Sequence, residues 1–370
     1  MFNRKTFESL AAPSIATVLL SALAGALIAP LAQPQSAAAV ETWEHLDKKL
    51  KTQVFEINVA IKFKLKDSIY CQIADASPTT HQYVFSASTT DPGFRVVQMA
   101  TAFPIKTRHN DRQYFLTARH VFDSTDDLVT AFQRFYAGMR LYAEQTANNN
   151  NVDERFRELL QIVNIATRKD RSKAMLITYQ TTVDNIWSTY DTYLSNRADP
   201  SRARFDKYVK QANLTTQVGY FLHACGSVNQ PPLLAKIYKA TKPDTDPDIA
   251  VLTVEKSAAP PLELDPLEAS EGQEVQVIGY PIASDQIDNE ANDYFTPTFS
   301  NGHVTKVTPH LVQVDAPITR GNSGGPVLSL RGKVLGLVVR RALTDSGAEL
   351  NKFGAAMSVQ QIKEFAPELF

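Results

Sequence analysis

The sequence predicts a mainly β protein built from antiparallel strands and interrupted once by a helical insertion. Three observations lead there. Apolar and polar residues alternate along 54–63, the period of a strand with one buried face. After Phe122 the apolar spacing lengthens to about 3.6 residues, and near Thr216 it returns to two. Turn-forming pieces such as Asp91-Pro92-Gly93 and His109-Asn110-Asp111 separate short strand candidates, as hairpin connections do. With 370 residues, 44% hydrophobic and 21% charged, the chain is long enough for two or three cores. Its net charge of −1 supplies no global field for nucleic acid or anionic membranes, so partners must be recognised by a site.

Residues 1–39 read as a signal peptide. Arg4 and Lys5 precede an apolar stretch over 10–32, and Ala37-Ala38-Ala39 offers a small-residue cleavage site. The stretch is long enough for an uncleaved membrane anchor to compete, although Pro13 and Pro30 interrupt it. Cleavage leaves an exported protein, periplasmic or secreted, with a bacterial pattern and no stable membrane insertion. A short helix is expected over 42–51, then strands over 54–63, 82–86, 94–102 and 114–118, with His81 and His109 in solvent-facing loops.

The helical insertion, 124–213, opens on the capping run Asp123-Ser124-Thr125-Asp126-Asp127. Its apolar faces carry Leu128, Phe132, Phe135 and Met139; then Phe156, Leu159, Leu160 and Val163; then Met175, Val183, Ile186, Trp187, Tyr190 and Leu194; then Phe205, Tyr208 and Val209. These are stripes enough for a small core of its own. Its aromatic residues, among them Tyr136, Tyr142 and Tyr193, serve either that core or a docking surface. Strands resume over 216–223, with a structural His223, and over 233–240. The acidic run 285–293 lacks the sharp-turn glycine and spacing of a calcium loop. Without clustered Cys and His, zinc has no support, and no cofactor or metal is expected.

Candidate chemistry centres on Ile318-Thr319-Arg320-Gly321-Asn322-Ser323-Gly324-Gly325-Pro326, where small, turn-forming residues crowd one hydroxyl beside bare backbone. Such a turn can be plain hairpin chemistry. It also suits a nucleophile, Ser323, with the N–H groups of Gly321 and Ser323 as an oxyanion hole. A serine needs a base and the base needs an orienting group. His120, at the end of the strand-like run 114–118, supplies the first. Asp248, at the mouth of the apolar run Ile249-Ala250-Val251-Leu252, supplies the second. Singly, each has an ordinary explanation: a surface imidazole and the acidic start of a strand.

The motifs Thr117-Ala118-Arg119-His120-Val121, Asp248-Ile249-Ala250-Val251-Leu252 and Thr319-Arg320-Gly321-Asn322-Ser323-Gly324-Gly325-Pro326 occur in that order. In this the chain resembles the chymotrypsin-like serine endopeptidases, most closely the HtrA-type bacterial branch, over roughly 54–122 and 215–370. The resemblance implies two six-stranded antiparallel β-barrels, the first from 40–123 and 214–258, the second from 259–370 with a C-terminal helix. The helical insertion then falls between the catalytic His and Asp. It explains why His120 and Asp248 stand 128 residues apart, against 75 from Asp248 to Ser323. It implies an exported endopeptidase acting on protein or peptide substrates through a Ser-His-Asp triad and an acyl-enzyme.

By the same pattern Pro317 would form the base of the S1 pocket and Leu337, Val338 and Val339 its wall. Small or medium apolar P1 residues are expected, unless Arg340 and Arg341 attract acidic ones. The chain departs from the pattern at Asn322, where zymogen-type members carry Asp, and at Val339, where relatives offer a hydroxyl to the catalytic Asp. Unlike HtrA proteases, the chain is expected to carry no PDZ domain after the closing helix. Cys71 and Cys225, both assigned to the first barrel, either pair as a disulfide or stay separate thiols. The rival expectation is a catalytically silent peptidase fold that binds through its helical insertion; within enzymes, an esterase.

Overall fold

The computed structural model describes residues 42–65, 69–76, 83–88, 93–148, 151–163, 172–195, 201–211, 215–227, 230–243, 245–255, 259–282, 295–343 and 349–370. The signal segment, His81 and the acidic run 285–293 lie outside them. No described helix is long and apolar enough to cross a membrane.

A helix α1, Trp43–Leu50, buries Leu46 and Leu50 and leads into β1, Phe55–Leu65. Next come β2 (Ile69–Ala76), β3 (Tyr83–Ser88), β4 (Arg95–Ile105) and β5 (Gln113–Thr117). After the helices follow β6 (Thr215–Ala224), β7 (Leu233–Ala240) and β8 (Ala250–Val254). Pairing runs β1-β4-β5-β8-β7-β6, and β6 returns to β1, so these six strands close a barrel. β2 and β3 are not in the ring. They form a hairpin continuing from the far end of β1.

The second barrel is closed by β9 (Glu274–Gly279), β10 (Thr298–Val307), β11 (Leu311–Val314), β12 (Pro326–Ser329), β13 (Val334–Leu343) and β14 (Glu349–Ser358). A last helix, α6 (Val359–Phe365), is capped by the Ser358 hydroxyl accepting the Gln361 N–H. The second barrel encloses its own apolar interior, including Val277, Val314, Val327 and Val338. The first does not: its core extends through Ile278, Tyr280, Leu328, Leu337 and Met357 into the second barrel's flank.

Between β5 and β6 lie α2 (Asp123–Thr146), α3 (Val152–Val163), α4 (Lys173–Ser195) and α5 (Ser201–Gln211). Phe132, Phe135, Leu159, Ile186 and Trp187 are buried among them. The four aromatics Phe132, Phe135, Trp187 and Tyr190 are therefore core and not a docking face, while Leu194, expected inside, is 39% exposed at the last turn of α4. Nor is the core self-contained. It takes in Ile61 and Phe63 of β1, with Phe63 stacked on Phe132 at 5.1 Å between ring centres.

The Cys71–Cys225 disulfide does not form, and Cys225 carries a free thiol. Register explains it. β1 pairs Phe63 with Cys71 at one end, while Phe55 at the other pairs with Ala224, the neighbour of Cys225. Eight residues of extended strand, about 26 Å, separate those ends, far beyond disulfide reach.

Candidate active site

β5 runs buried to Thr117 and turns at Ala118 into one turn of 3-10 helix, Arg119–Phe122, which passes directly into α2. His120 sits in that turn. Asp248 lies two residues before β8 and is almost fully buried. Ser323 occupies the turn that feeds β12 of the second barrel. The structure brings all three together at the junction of the barrels. His120 Nδ1 is 2.7 Å from Asp248 Oδ2, and His120 Nε2 is 3.0 Å from Ser323 Oγ. A carboxylate only accepts, so Nδ1 carries the proton, and Nε2 is left to accept from the serine hydroxyl.

Asp248 is held from three directions. The His120 backbone N–H donates to its Oδ1 at 2.9 Å, the imidazole to Oδ2, and the Arg119 amide also bonds it. Burial alone would raise the pKa of this carboxyl, but those bonds and the charge of His120 outweigh it and hold the group below its ordinary 3.8. Arg119 ties this corner further, donating through Nε to the Thr241 carbonyl at 2.9 Å and pairing with Asp123 at the start of α2.

The nucleophile turn is fixed through its carbonyls. Arg320 C=O accepts from Ile282 N–H and Asn322 C=O from Gly325 N–H, each at 2.9 Å. In a trans peptide the N–H points opposite its C=O, so these two bonds aim the N–H groups of Gly321 and Ser323 away from the supporting backbone. Among the described residues neither N–H finds an acceptor. Gly321 has φ +99°, and a Cβ there would lie 2.1 Å from the Tyr280 carbonyl, so no other residue fits without moving the turn. Gly324 is equally confined, 2.1 Å from the Thr101 carbonyl by the same measure.

The cleft over these groups has a volume of about 760 Å³; besides His120 and Ser323, Met99, Ile282, Ile318 and Val339 contribute its apolar lining. Here the expected S1 wall needs correction. Leu337 and Val338 are fully buried, one in the shared core and the other inside the second barrel. Pro317 is exposed and does not line the cleft, so of the four only Val339 reaches it. Ile318 lines the cleft instead, and its side chain lies over Gly354, where a Cβ would come within 2.1 Å of Ile318 Cδ1. The side chains of Arg340 and Arg341 lie outside the described residues.

Sequence reasoning missed Met99, Ile282 and Thr101. Thr101 is fully buried on β4 and donates its hydroxyl to the Gly321 carbonyl at 2.7 Å. A signal existed: one polar residue in the apolar run Ala100-Thr101-Ala102-Phe103.

Two closed barrels, with an imidazole, a carboxylate and an alcohol meeting at their junction, match the arrangement that the resemblance to the chymotrypsin-like serine peptidases implies. The trypsin-like peptidase domain family matches residues 218–337, which include Asp248 and Ser323. Two curated Mycobacterium tuberculosis proteins, serine protease Rv3671c of strain H37Rv and serine protease MT3772 of strain CDC 1551 / Oshkosh, are each 34% identical to the chain over 118 residues. The matched stretch spans 30% of this chain and 30% of each relative. Among solved structures, the active form of Rv3671c protease aligns over 95% of this chain and 94% of its own, with 14% identity and a TM-score of 0.41. An inactive form aligns over 88% and 92%, with 13% identity and a TM-score of 0.38.

Proposed function

We propose that the chain is an exported serine endopeptidase that cleaves peptide bonds through His120, Asp248 and Ser323. The observation that carries this reading is the unbroken hydrogen-bond chain from Asp248 through His120 to Ser323, at 2.7 and 3.0 Å. Nε2 takes the hydroxyl proton as Ser323 Oγ attacks the scissile carbonyl carbon, and Asp248 stabilises the imidazolium that forms. The N–H groups of Gly321 and Ser323 receive the oxyanion. Collapse of the tetrahedral adduct expels the amine with the proton from Nε2. Water then attacks the acyl-enzyme along the reverse proton path and releases the acid.

Ile318 over Gly354, with Val339 beside them, favours small or medium apolar side chains at P1. The first 39 residues serve as the export signal. No metal or cofactor enters any step.

Fluorophosphonate labelling of the purified protein is expected, with loss in Ser323→Ala, alongside cleavage of a denatured protein substrate mapped by mass spectrometry. Absence of labelling in the wild-type chain would sink the reading. Labelling with hydrolysis of simple esters but no peptide cleavage would make it an esterase, and cleavage mainly after Lys or Arg would overturn the P1 assignment. Intact-mass measurement of the exported protein tests removal of residues 1–39.

A further inference from the structure

We propose that Thr101 is a positioning residue through which the first barrel holds the oxyanion turn of the second; this rests on the peptidase reading. The four consecutive carbonyls from Arg320 to Ser323 are all occupied. Those of Arg320 and Asn322 accept from Ile282 and Gly325, residues close to the second barrel's own strands. The other two belong to Thr101, on the opposite barrel. Its hydroxyl donates to Gly321 C=O at 2.7 Å, and its backbone N–H donates to Ser323 C=O at 2.9 Å.

The hydroxyl is also used as an acceptor. Tyr280 N–H, at the end of β9, donates to Oγ1 at 3.0 Å, and the Thr101 carbonyl takes a bond from the Thr117 hydroxyl at 2.8 Å. Thr117 closes β5, three residues before His120. One fully buried residue, through its side chain and its backbone together, therefore links the strand behind the imidazole, the turn that carries the alcohol and the end of β9. The fit around it is close: the backbone of Gly324 lies against the Thr101 carbonyl, and a Cβ on Gly279 would sit 3.0 Å from Oγ1.

Removing the hydroxyl leaves two buried partners, Gly321 C=O and Tyr280 N–H, without theirs. The Gly321–Asn322 peptide then keeps only its Asn322 N–H bond to the Thr319 carbonyl, at 3.1 Å, and the two N–H groups that flank it in sequence are held less tightly. Thr101 touches neither His120 nor Asp248 by any recorded hydrogen bond, so the expected defect is confined to the transition state. It changes kcat and leaves substrate binding in place.

The test compares the full chain with Thr101→Val, which keeps shape and loses the hydroxyl, and Thr101→Ser, which keeps the hydroxyl. Expected for Thr101→Val is a fall in kcat of roughly 10- to 100-fold, since a displaced donor costs less than a deleted one, with KM within about twofold. The pH–rate limbs should not move, and Thr101→Ser should recover kcat to within about threefold of wild type. A Thr101→Val kcat within about twofold of wild type, or a Thr101→Ser no better than Thr101→Val, overturns the proposal. If Thr101→Val does not fold, Thr101→Ala against Thr101→Ser poses the same question. A wild-type chain that hydrolyses nothing refutes the peptidase reading instead. Hydrogen exchange over 319–325 then decides: faster exchange in Thr101→Val but not in Thr101→Ser supports the tether, and unchanged protection refutes it.

Discussion

The second barrel encloses its own interior, whereas the first opens its core on two sides, toward the second barrel's flank and toward the helices. The hydroxyl of Ser323 thus stands on a barrel with a closed interior, in a turn whose carbonyls accept from Ile282 and Gly325 and, across the junction, from Thr101. The imidazole and the carboxylate stand on a barrel whose packing depends on both neighbours. Chemistry at the cleft should therefore respond to distant changes in the first barrel more readily than in the second.

The largest expected effect tests the second barrel's side of that contrast. Ser323→Ala should lower peptide hydrolysis by on the order of 10⁶, with an unchanged circular dichroism spectrum and Tm, because no packing is lost. A drop in Tm of several degrees would mean the turn is less independent of its hydroxyl than the geometry indicates. Next, Asp248→Asn should cost on the order of 10⁴ in kcat by removing the charge that orients the imidazole.

Asp248 also carries a pH signature. Its folded pKa is lowered, so its contribution to stability is fully present above the ordinary value of 3.8 and is lost as pH falls through the lower folded value. The Tm gap between wild type and Asp248→Asn should hold from neutral pH to about 4 and narrow below it. A gap that closes near pH 6 would contradict the assignment.

Phe63→Ala probes the shared packing. Losing the ring stacked on Phe132 should destabilise by about 3–5 kcal/mol. Near-UV signals of the helices, from Trp187 in particular, should melt before those of the second barrel. A single cooperative loss of both would remove the contrast. A smaller change is expected from Gly321→Ala, about 10²–10³ in kcat with KM nearly constant, because the new methyl must displace the Tyr280 carbonyl.

The parts of this molecule that were legible in its sequence are those with a local period or a fixed spacing. Alternation marks β1, and Leu128, Phe132, Phe135 and Met139 repeat along α2 at helical intervals; all four are buried. His120, Asp248 and Ser323 each stand beside a strand whose apolar run is visible in the chain. What could not be read depends on partners distant along the chain. Thr101 meets Gly321 across 220 positions, and its one local signal, a polar residue in an apolar run, does not say which turn it will hold. Ile318, not Pro317, lines the cleft, and it packs against Gly354, a residue of β14 far along the chain. Ile61 and Phe63 belong to a strand by pattern and to the helices by packing. Cys71 and Cys225 invited pairing only while the register of β1 was unknown.

One junction sets how outside forces reach the chemistry. The turn bearing His120 runs without a break into α2, whose 24 residues make a rod about 36 Å long. The imidazole is mounted at the foot of that lever, while the alcohol is bolted to a separate frame. An antibody fragment or crosslink that tilts the helical layer at the rod's far end would shift the base relative to the nucleophile, and so throttle turnover without entering the cleft.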